Sequence, residues 1–593
     1  MKKSFNKDLI KHFFDGVSRY YFVFALLFVM GVYLPVNYLE FLNFDDTVVL
    51  ERAYKNFSDI NWYGLFFRSS DTVYYRPLLE VLCYMDYALW GLSLTAYHLT
   101  NYSIHILNSV LVYLIALQWF QSGKKANGWA ALAMVFFALN PMTCESVAWI
   151  SGRSDLAGTF FSLLAVRCYF LKSSYRFALT PLAILLGLLC KENALAVIPI
   201  IVLIEGFINY KNKKQLGENI KACLVWSIIV LIPLLIYLFL RTNGWENYTY
   251  EFFHLKTGMS TEKLVSTQQV SDKIAWTEIA SLFPVIAFYL KKLVMPFPLN
   301  FAIVQINTAF YTFLSAILLG TFIFWCWQRK VQYLFFVCLL VVSFIPALPV
   351  ALGNVSWVPL AERYLYMSVC IMAIGAAYFL MVCIEKKGFN RTVIITICFL
   401  MVLILAVSTL QREFVFKNSK TIWTATLKTN PTNSMVLFKY GQAVGGKEGQ
   451  HAFKKAVSNP KPFVWRAKTL LSIAQYESSN GNHEEAVVYI KKAFEIENSP
   501  ENYLYAAFIL LKINDEDISI KEKYIIMAID CYQMAYRQKK TVFVLYQIAT
   551  LSKHIKNFKQ ANELFRKIVK EYPQSKYAVY AKKQLSTPDK KLL

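Results

Sequence analysis

The sequence predicts an all-α protein with two parts, a polytopic membrane domain and a C-terminal domain of helical repeats. Hydrophobic residues make up 56% of the 593 residues and charged residues only 17%, below the roughly 25% typical of soluble domains. Apolar runs of membrane-spanning length recur along the chain and stop near residue 414. Small residues then recur at fixed intervals. We therefore predict a membrane domain over residues 1–414 and a repeat domain over residues 415–593.

Eleven membrane crossings are predicted from these apolar runs. They lie at about 18–37, 100–120, 128–140, 155–171, 177–190, 194–210, 222–241, 309–327, 331–350, 363–384 and 392–411. The run 276–295 carries Pro284 and two lysines and is followed by Pro296. Because 309–327 must then descend to the basic pair Arg329–Lys330, we interpret the run as an interfacial or re-entrant helix. Lysine and arginine cluster in alternate short loops, which predicts that those loops face the cytoplasm. The odd number of crossings then places the first long loop, residues 38–98, and the repeats on the outer side.

The net charge of +24 is distributed over these loops rather than over one basic face. This distribution sets membrane topology, so we expect membrane lipid and no nucleic acid among the partners. Most cysteines lie inside apolar runs, where cysteine behaves as a small hydrophobic residue. Cys83 and Cys144 fall on the predicted outer side and could form a disulfide, although nothing in their spacing requires one.

The C-terminal region has the spacing of a tetratricopeptide repeat. Ala474 is followed by Ala486 after 12 residues and by Ala493 after a further 7. Ala549 and Ala561 repeat the 12-residue step. Small residues at these positions allow helices to pack closely within and between pairs. We therefore predict an α-solenoid (TPR domain), which either binds an extended peptide or partner on its concave face or only braces the membrane domain.

Charged and polar groups gather where apolar runs meet the predicted outer side. Two adjacent carboxylates, Asp45 and Asp46, begin the first outer loop. The rest of this loop contributes Arg76, Asp86 and His98, and the later outer segments contribute Glu145, Arg153, Asp155, Lys191, Glu192, Glu362 and Arg363. Ionisable groups at membrane depth are costly and usually face protein or a water-filled cavity. Each neighbouring pair, such as Arg153 with Asp155 or Glu362 with Arg363, could be a local ion pair, but four clusters on one side favour a shared cavity.

Several short motifs occur in a characteristic order along the chain. They are Phe44-Asp45-Asp46, Tyr75-Arg76-Pro77-Leu78, Trp90-Gly91, Tyr97-His98-Leu99-Thr100-Asn101, Asn140-Pro141, Glu145-Ser146-Val147-Ala148-Trp149-Ile150, Gly152-Arg153-Ser154-Asp155, Lys191-Glu192 and Ala361-Glu362-Arg363-Tyr364-Leu365-Tyr366. No single motif is specific, but the ordered set covers nearly the whole chain. It resembles the transmembrane and tetratricopeptide-repeat (TMTC-type) protein O-mannosyltransferases of the GT-C superfamily.

This resemblance implies a GT-C fold and an inverting glycosyltransferase. Such an enzyme moves a sugar from a polyprenyl-phosphate donor to Ser or Thr hydroxyls of exported proteins, and the TPR domain would bind the acceptor or a partner. The resemblance assigns the base to Asp45 and an orienting or acceptor-binding role to Asp46. The donor phosphate would be bound by Arg76, Arg153, Lys191 and Arg363. Supporting roles fall to His98, Asp155, Glu192 and Glu362.

Three other functions remain open from the sequence. An oligosaccharyltransferase or glycan ligase of the same fold would often hold a divalent metal, for which the sequence offers no compact ligand set beyond Asp45 and Asp46. A transporter would predict inverted repeats and charges near the bilayer midplane. A non-catalytic membrane scaffold would use only the TPR domain. The Lys-, Asn- and Tyr-rich composition favours a bacterial inner membrane with the active site and TPR domain in the periplasm, and the alternative is the luminal side of the endoplasmic reticulum membrane.

Overall fold

The computed structural model describes residues 20–42, 45–46, 62–67, 75–120, 126–241, 276–352, 358–385, 390–513 and 517–586. In these ranges the chain is helical, and its extended pairing is limited to one isolated antiparallel bridge between Ile303 and Leu360. The chain forms two compact units, Met1–Ala425 and Thr426–Leu593. The predicted all-α fold class is therefore confirmed.

The first unit contains sixteen described α-helices that lie wholly within it. These are α1 Tyr21–Val32, α2 Trp62–Phe67, α3 Pro77–Trp90, α4 Leu94–Trp119, α5 Ala126–Ala138, α6 Cys144–Ala148, α7 Arg153–Tyr169, α8 Arg176–Cys190, α9 Val197–Lys211, α10 Leu216–Arg241, α11 Trp276–Val294, α12 Thr308–Trp327, α13 Val331–Phe344, α14 Leu348–Ala351, α15 Tyr366–Glu385 and α16 Arg391–Val415. Helix α17, Ser419–Thr429, contains the boundary between the units.

Seven helical segments among the described residues are long and apolar enough to cross a membrane. They are Leu94–Trp119, Glu192–Lys211, Leu216–Arg241, Thr308–Trp327, Val331–Ala351, Glu362–Ile384 and Thr392–Val415. Shorter apolar helices occur at Tyr21–Val36, Ala126–Ala138 and Arg176–Cys190. These ten match ten of the eleven predicted crossings in position. The remaining one, predicted at 155–171, is α7, a 17-residue helix whose buried face carries charged and hydroxyl groups instead of a continuous apolar surface.

A buried polar stripe runs along α4 and fixes this helix against its neighbours. His98, Asn101, His105 and Asn108 are all fully buried, and their spacing places them on one helix face. Asn101 Nδ2 donates to the Trp149 carbonyl at 2.9 Å, and Asn108 Nδ2 donates to the Leu156 carbonyl at 3.0 Å. Hydrogen bonds of this kind hold helices together where apolar packing alone gives little preference over lipid. The stripe therefore sets the position of the segment that enters α7.

The run 276–295 forms helix α11, and its interfacial or re-entrant placement stays a prediction. Helix α11 is not among the seven membrane-spanning segments. Lys292 is buried, and its Nζ donates to Glu362 Oε1 at 2.8 Å and to the Pro296 carbonyl at 2.9 Å. A lysine that points into the protein lets an otherwise apolar helix lie beside a polar site.

The second unit is built from packed helix pairs. Its helices are α18 Ser434–Val444, α19 Gly446–Ser458, α20 Arg466–Ser479, α21 His483–Ile496, α22 Pro500–Leu511, α23 Ile518–Gln538, α24 Val542–His554, α25 Phe558–Glu571 and α26 Lys576–Ser586. The alanines that predicted the repeat, Ala474, Ala486, Ala493, Ala549 and Ala561, are all fully buried. Small residues therefore lie at the helix contacts, as the tetratricopeptide spacing predicts.

Replacing Ala486 with Leu tests this close packing. Ala486 has 0% exposure within the core shared by α20 and α21, so the larger side chain should lower the free energy of unfolding by about 1–3 kcal/mol through overpacking. Val488 lies two residues away and is 47% exposed, so Val488→Leu is the matched control and should change stability by less than about 0.5 kcal/mol. Thermal unfolding of the purified full chain measures both, and equal effects would contradict the packing.

Candidate active site

The two adjacent carboxylates have different environments. Asp45 is exposed, whereas Asp46 is fully buried. Asp46 Oδ2 accepts a hydrogen bond from Leu42 N at 3.1 Å, and its Oδ1 accepts from Ser151 N at 3.1 Å and Ser151 Oγ at 3.0 Å. The Asp46 side chain therefore ties the start of the first loop to the segment before α7. Asp45 is the exposed member of the pair.

Burial also changes the acidity of Asp46. It raises the pKa of this carboxyl from 3.8 to about 6, although the hydrogen bonds from Leu42 and Ser151 oppose the rise. The neighbouring charge of Asp45 also contributes to this rise in the pKa of Asp46. Asp46 thus titrates close to neutral pH.

Arg153 is enclosed by protein groups. Its side chain is 1% exposed, and its Nη1 forms an ion pair with Asp86 Oδ2 at 2.6 Å. Nε donates to Asn101 Oδ1 at 2.8 Å, and Nη2 donates to the Tyr97 carbonyl at 3.0 Å. A guanidinium whose three nitrogens all contact protein has little capacity left for a ligand. Arg153 therefore differs from the other three cations predicted to bind phosphate, because protein groups already occupy its guanidinium nitrogens.

Those three cations, Arg76, Lys191 and Arg363, come from different segments and lie near one another. Lys191 Nζ pairs with Asp155 Oδ2 at 2.6 Å. The pKa of Lys191 is lowered from 10.5 to about 8, mainly by burial and also by the positive charges of Arg76 and Arg363, while Asp155 opposes the change. Lys191 Nζ lies 5.8 Å from the centre of the Tyr364 ring, and the Arg363 guanidinium lies 4.8 Å from the same centre. Arg76 pairs with Glu192, the residue after Lys191. This arrangement concentrates positive charge in one part of the protein.

Arg76 and Arg363 are less enclosed than Arg153. Arg76 Nη2 pairs with Glu192 at 2.8 Å, and the Arg76 side chain remains 21% exposed. The Arg363 side chain is 13% exposed and pairs with the fully buried Glu145. Each of these arginines has a carboxylate that holds it and some surface left for a ligand. The sequence-based prediction assigns no role to Glu145, although Glu145 is the first residue of one of the ordered motifs.

Glu362 has a different set of partners. Its Oε1 accepts from Lys292 Nζ and Asn300 N, each at 2.8 Å, and its Oε2 pairs with Arg412 Nη2 at 3.2 Å. Neither of the local ion pairs that the sequence allowed, Arg153–Asp155 and Glu362–Arg363, forms in the structure. Every one of these charges instead pairs with a residue distant in the sequence. The sequence identifies Lys292 only as one of two lysines in the run 276–295 and does not identify Arg412, because it does not show that Glu362, 50 or more positions away, is their partner.

His98 lies in the buried polar stripe of α4 but has no strong partner. The backbone of Glu40 and Ala148 is beside its ring, yet neither ring nitrogen makes a well-formed hydrogen bond to a described residue. Cys83 and Cys144 are both buried and both free, so they form no disulfide. In the part of the chain that the structure describes, no group of three His, Cys, Asp or Glu side chains could hold a metal ion. A divalent metal stays a prediction.

Similarity to known proteins agrees with the arrangement of motifs. The chain is 24% identical to human Protein O-mannosyl-transferase TMTC3 over 411 residues, which cover 65% of this chain and 43% of the relative. It is 25% identical to Protein O-mannosyl-transferase F38B6.6 of Caenorhabditis elegans over 388 residues, 63% of this chain and 51% of the relative. With mouse Protein O-mannosyl-transferase TMTC2 the identity is 29% over 185 residues, 29% of this chain and 22% of the relative.

The chain resembles the TMTC-type protein O-mannosyltransferases. The matches span about half the length of these relatives or less. No protein-family model matches the chain. The relatives and the apolar helices together support an integral membrane protein.

The titration of Asp46 predicts how Asp46→Asn changes stability with pH. Because burial raises the folded-state pKa from 3.8 to about 6, the protonated carboxyl stabilises the fold below about pH 4, and this contribution is lost as the pH rises through about 6. The unfolding temperature of the wild-type protein should therefore fall relative to that of the Asp46→Asn variant between about pH 4 and 7. Thermal unfolding of the purified full chain across this range measures the difference. A difference that stays constant with pH would contradict the perturbed pKa.

Proposed function

We propose that this protein is an inverting glycosyltransferase of the GT-C type. It transfers a sugar from a polyprenyl-phosphate donor to Ser or Thr hydroxyls of exported proteins, and we propose mannose as this sugar. The observation that carries the proposal is that Lys191 and Arg363 lie at the same Tyr364 ring while Arg76 pairs with Glu192 beside Lys191, and both arginines keep exposed surface. The names of the similar proteins, each a protein O-mannosyl-transferase, give independent support for the reaction class.

The cation group suits a phosphate that leaves. When the bond between the anomeric carbon and the phosphate oxygen breaks, negative charge grows on the phosphate. Fixed positive groups stabilise this charge, and their carboxylate partners already hold them in place before the reaction. Arginine can engage two phosphate oxygens at once, while lysine acts as a point charge. Because a lipid phosphate leaves readily, the reaction requires no general acid.

Asp45 is the proposed base. It would accept the proton of the Ser or Thr hydroxyl while the oxygen attacks the anomeric carbon from the side opposite the phosphate, which inverts the configuration. Its neighbour Asp46 is held by Ser151, which lies two residues after Trp149. The Arg363 guanidinium lies over the Trp149 ring, with its central carbon 5.0 Å from the ring centre. Residues 149–151 therefore contact both the neighbour of the proposed base and one of the cations.

The remaining predicted residues have supporting roles in this proposal. Asp155 and Glu192 orient Lys191 and Arg76, and Glu362 fixes the segment that carries Arg363. Arg153 and Asp46 connect loops, so we assign them to positioning rather than to contact with the phosphate. The TPR domain would present the acceptor protein. We place the protein in a bacterial inner membrane, with the site and the TPR domain in the periplasm.

Asp45→Asn tests the assignment of the base. The variant should lose transfer almost entirely, by at least about a hundredfold, because the amide cannot accept the hydroxyl proton. Expression and membrane insertion should not change, since Asp45 is exposed. Glycoprotein profiles of cells that lack the gene and are complemented with either form measure transfer, and immunoblots of membranes measure protein amount.

Glu40→Gln is the matched control, because Glu40 is also an exposed carboxylate near the start of the same loop. It should restore the wild-type glycoprotein profile. Full transfer by the Asp45→Asn variant would remove Asp45 from the base role. Loss of transfer in both variants would show that any charge change at this loop disturbs the protein.

A further inference from the structure

Glu145 holds one arginine at two points. It lies in α6, and its side chain is fully buried. Its Oε1 forms an ion pair with Arg363 Nη1, and its Oε2 accepts a hydrogen bond from the Arg363 backbone nitrogen at 3.2 Å. One carboxylate thus fixes both the main chain and the guanidinium of Arg363. The two residues are 218 positions apart in the sequence, so this contact also joins two distant segments.

Aromatic rings restrict the same guanidinium further. Its central carbon is 5.0 Å from the ring centre of Trp149 and 4.8 Å from that of Tyr364, and Nη2 donates to the Tyr364 hydroxyl at 3.3 Å. Contacts between a guanidinium and aromatic faces are attractive and fix the plane of the group. Trp149 follows Glu145 by four residues, so one short segment supplies both the carboxylate and one of the rings.

The neighbouring carboxylate, Glu362, does not compete for Arg363. It is occupied by Lys292, Arg412 and the backbone of Asn300. Glu145 is therefore the acidic partner of Arg363 among the described residues. The segment around residue 363 is therefore held both by Glu145 and by the partners of Glu362.

We propose that Glu145 is a positioning residue that holds the Arg363 guanidinium in the orientation that binds the donor phosphate. The inference rests on the proposed function, because it assumes that Arg363 contacts this phosphate. Removing one side of a buried pair leaves the other charge poorly placed. A cation that must reorient before each reaction stabilises the leaving phosphate less than one that is already in place.

A double-mutant cycle tests this role on the full-length protein in detergent. The variants are Glu145→Gln, Arg363→Gln and the double variant, and the donor is a short-chain polyprenyl-phosphate mannose. Glu145→Gln should raise the KM for the donor about tenfold, which corresponds to the loss of one charge-assisted hydrogen bond, and leave the acceptor KM unchanged. In the Arg363→Gln background the same change should raise the donor KM less than about twofold, because the effects of residues that act through one another are not additive.

Glu205→Gln is the matched control. Glu205 also accepts hydrogen bonds within the first unit, from Asn209 and Tyr169. It lies thirteen residues after Glu192 along a helical segment, which is about 20 Å at the usual rise per residue. This variant should keep the wild-type donor KM. If a glutamine variant does not fold, Glu145→Asp and Arg363→Lys replace it, since each keeps its charge and only shifts its position.

The outcomes separate the inference from the proposed function. If Arg363→Gln and Arg363→Lys leave the donor KM unchanged, Arg363 does not bind the donor and the proposed phosphate site is wrong. If Arg363 variants raise the donor KM but Glu145→Gln has an equal effect in both backgrounds, Glu145 acts independently of Arg363 and the inference is overturned. A rise in donor KM with Glu145→Gln that disappears in the Arg363→Gln background supports it.

Discussion

The ion pair between Arg153 and Asp86, buried among hydrogen-bonding groups, is the interaction on which the rest of the site depends. It joins α3 to the start of α7, and the other nitrogens of Arg153 bind α4. A buried charge is tolerated only when it is paired and its other polar atoms are satisfied. Because Arg153 meets both conditions, the segment from Trp149 to Asp155 has a fixed position. Asp46, Lys191 and Arg363 each contact this segment.

The cations around the candidate site differ in how far protein groups enclose them. Arg153, Lys292 and Arg412 are almost completely enclosed, and their contacts hold helices and loops together. Arg76 and Arg363 keep some exposed surface and lie near Lys191. A site that binds phosphate needs both kinds, since an exposed cation is useful in catalysis only when enclosed groups keep it in place. The same division holds for the acidic pair, in which Asp46 is enclosed and Asp45 is exposed.

Local patterns predicted the fold better than they predicted the contacts of the site. The apolar runs and the spacing of Ala474, Ala486 and Ala493 indicated the helices and their packing, because hydrophobicity and residue size act along one helix or one helix pair. The ion pairs depend on residues up to 218 positions apart, which no local pattern reports. Residues two apart on a helix also point in different directions. This geometry explains why Arg153 pairs with Asp86 rather than with Asp155.

In the proposed mechanism Arg76, Lys191 and Arg363 together bind the donor phosphate. The most direct measurement compares the affinity of a short-chain polyprenyl phosphate for the wild-type protein and for Arg76→Gln, with Arg167→Gln as a control on α7. We expect Arg76→Gln to bind at least about tenfold more weakly, since one charge-assisted contact to phosphate is lost, and Arg167→Gln to bind like the wild type. Equal affinity of Arg76→Gln and the wild type would contradict the claim.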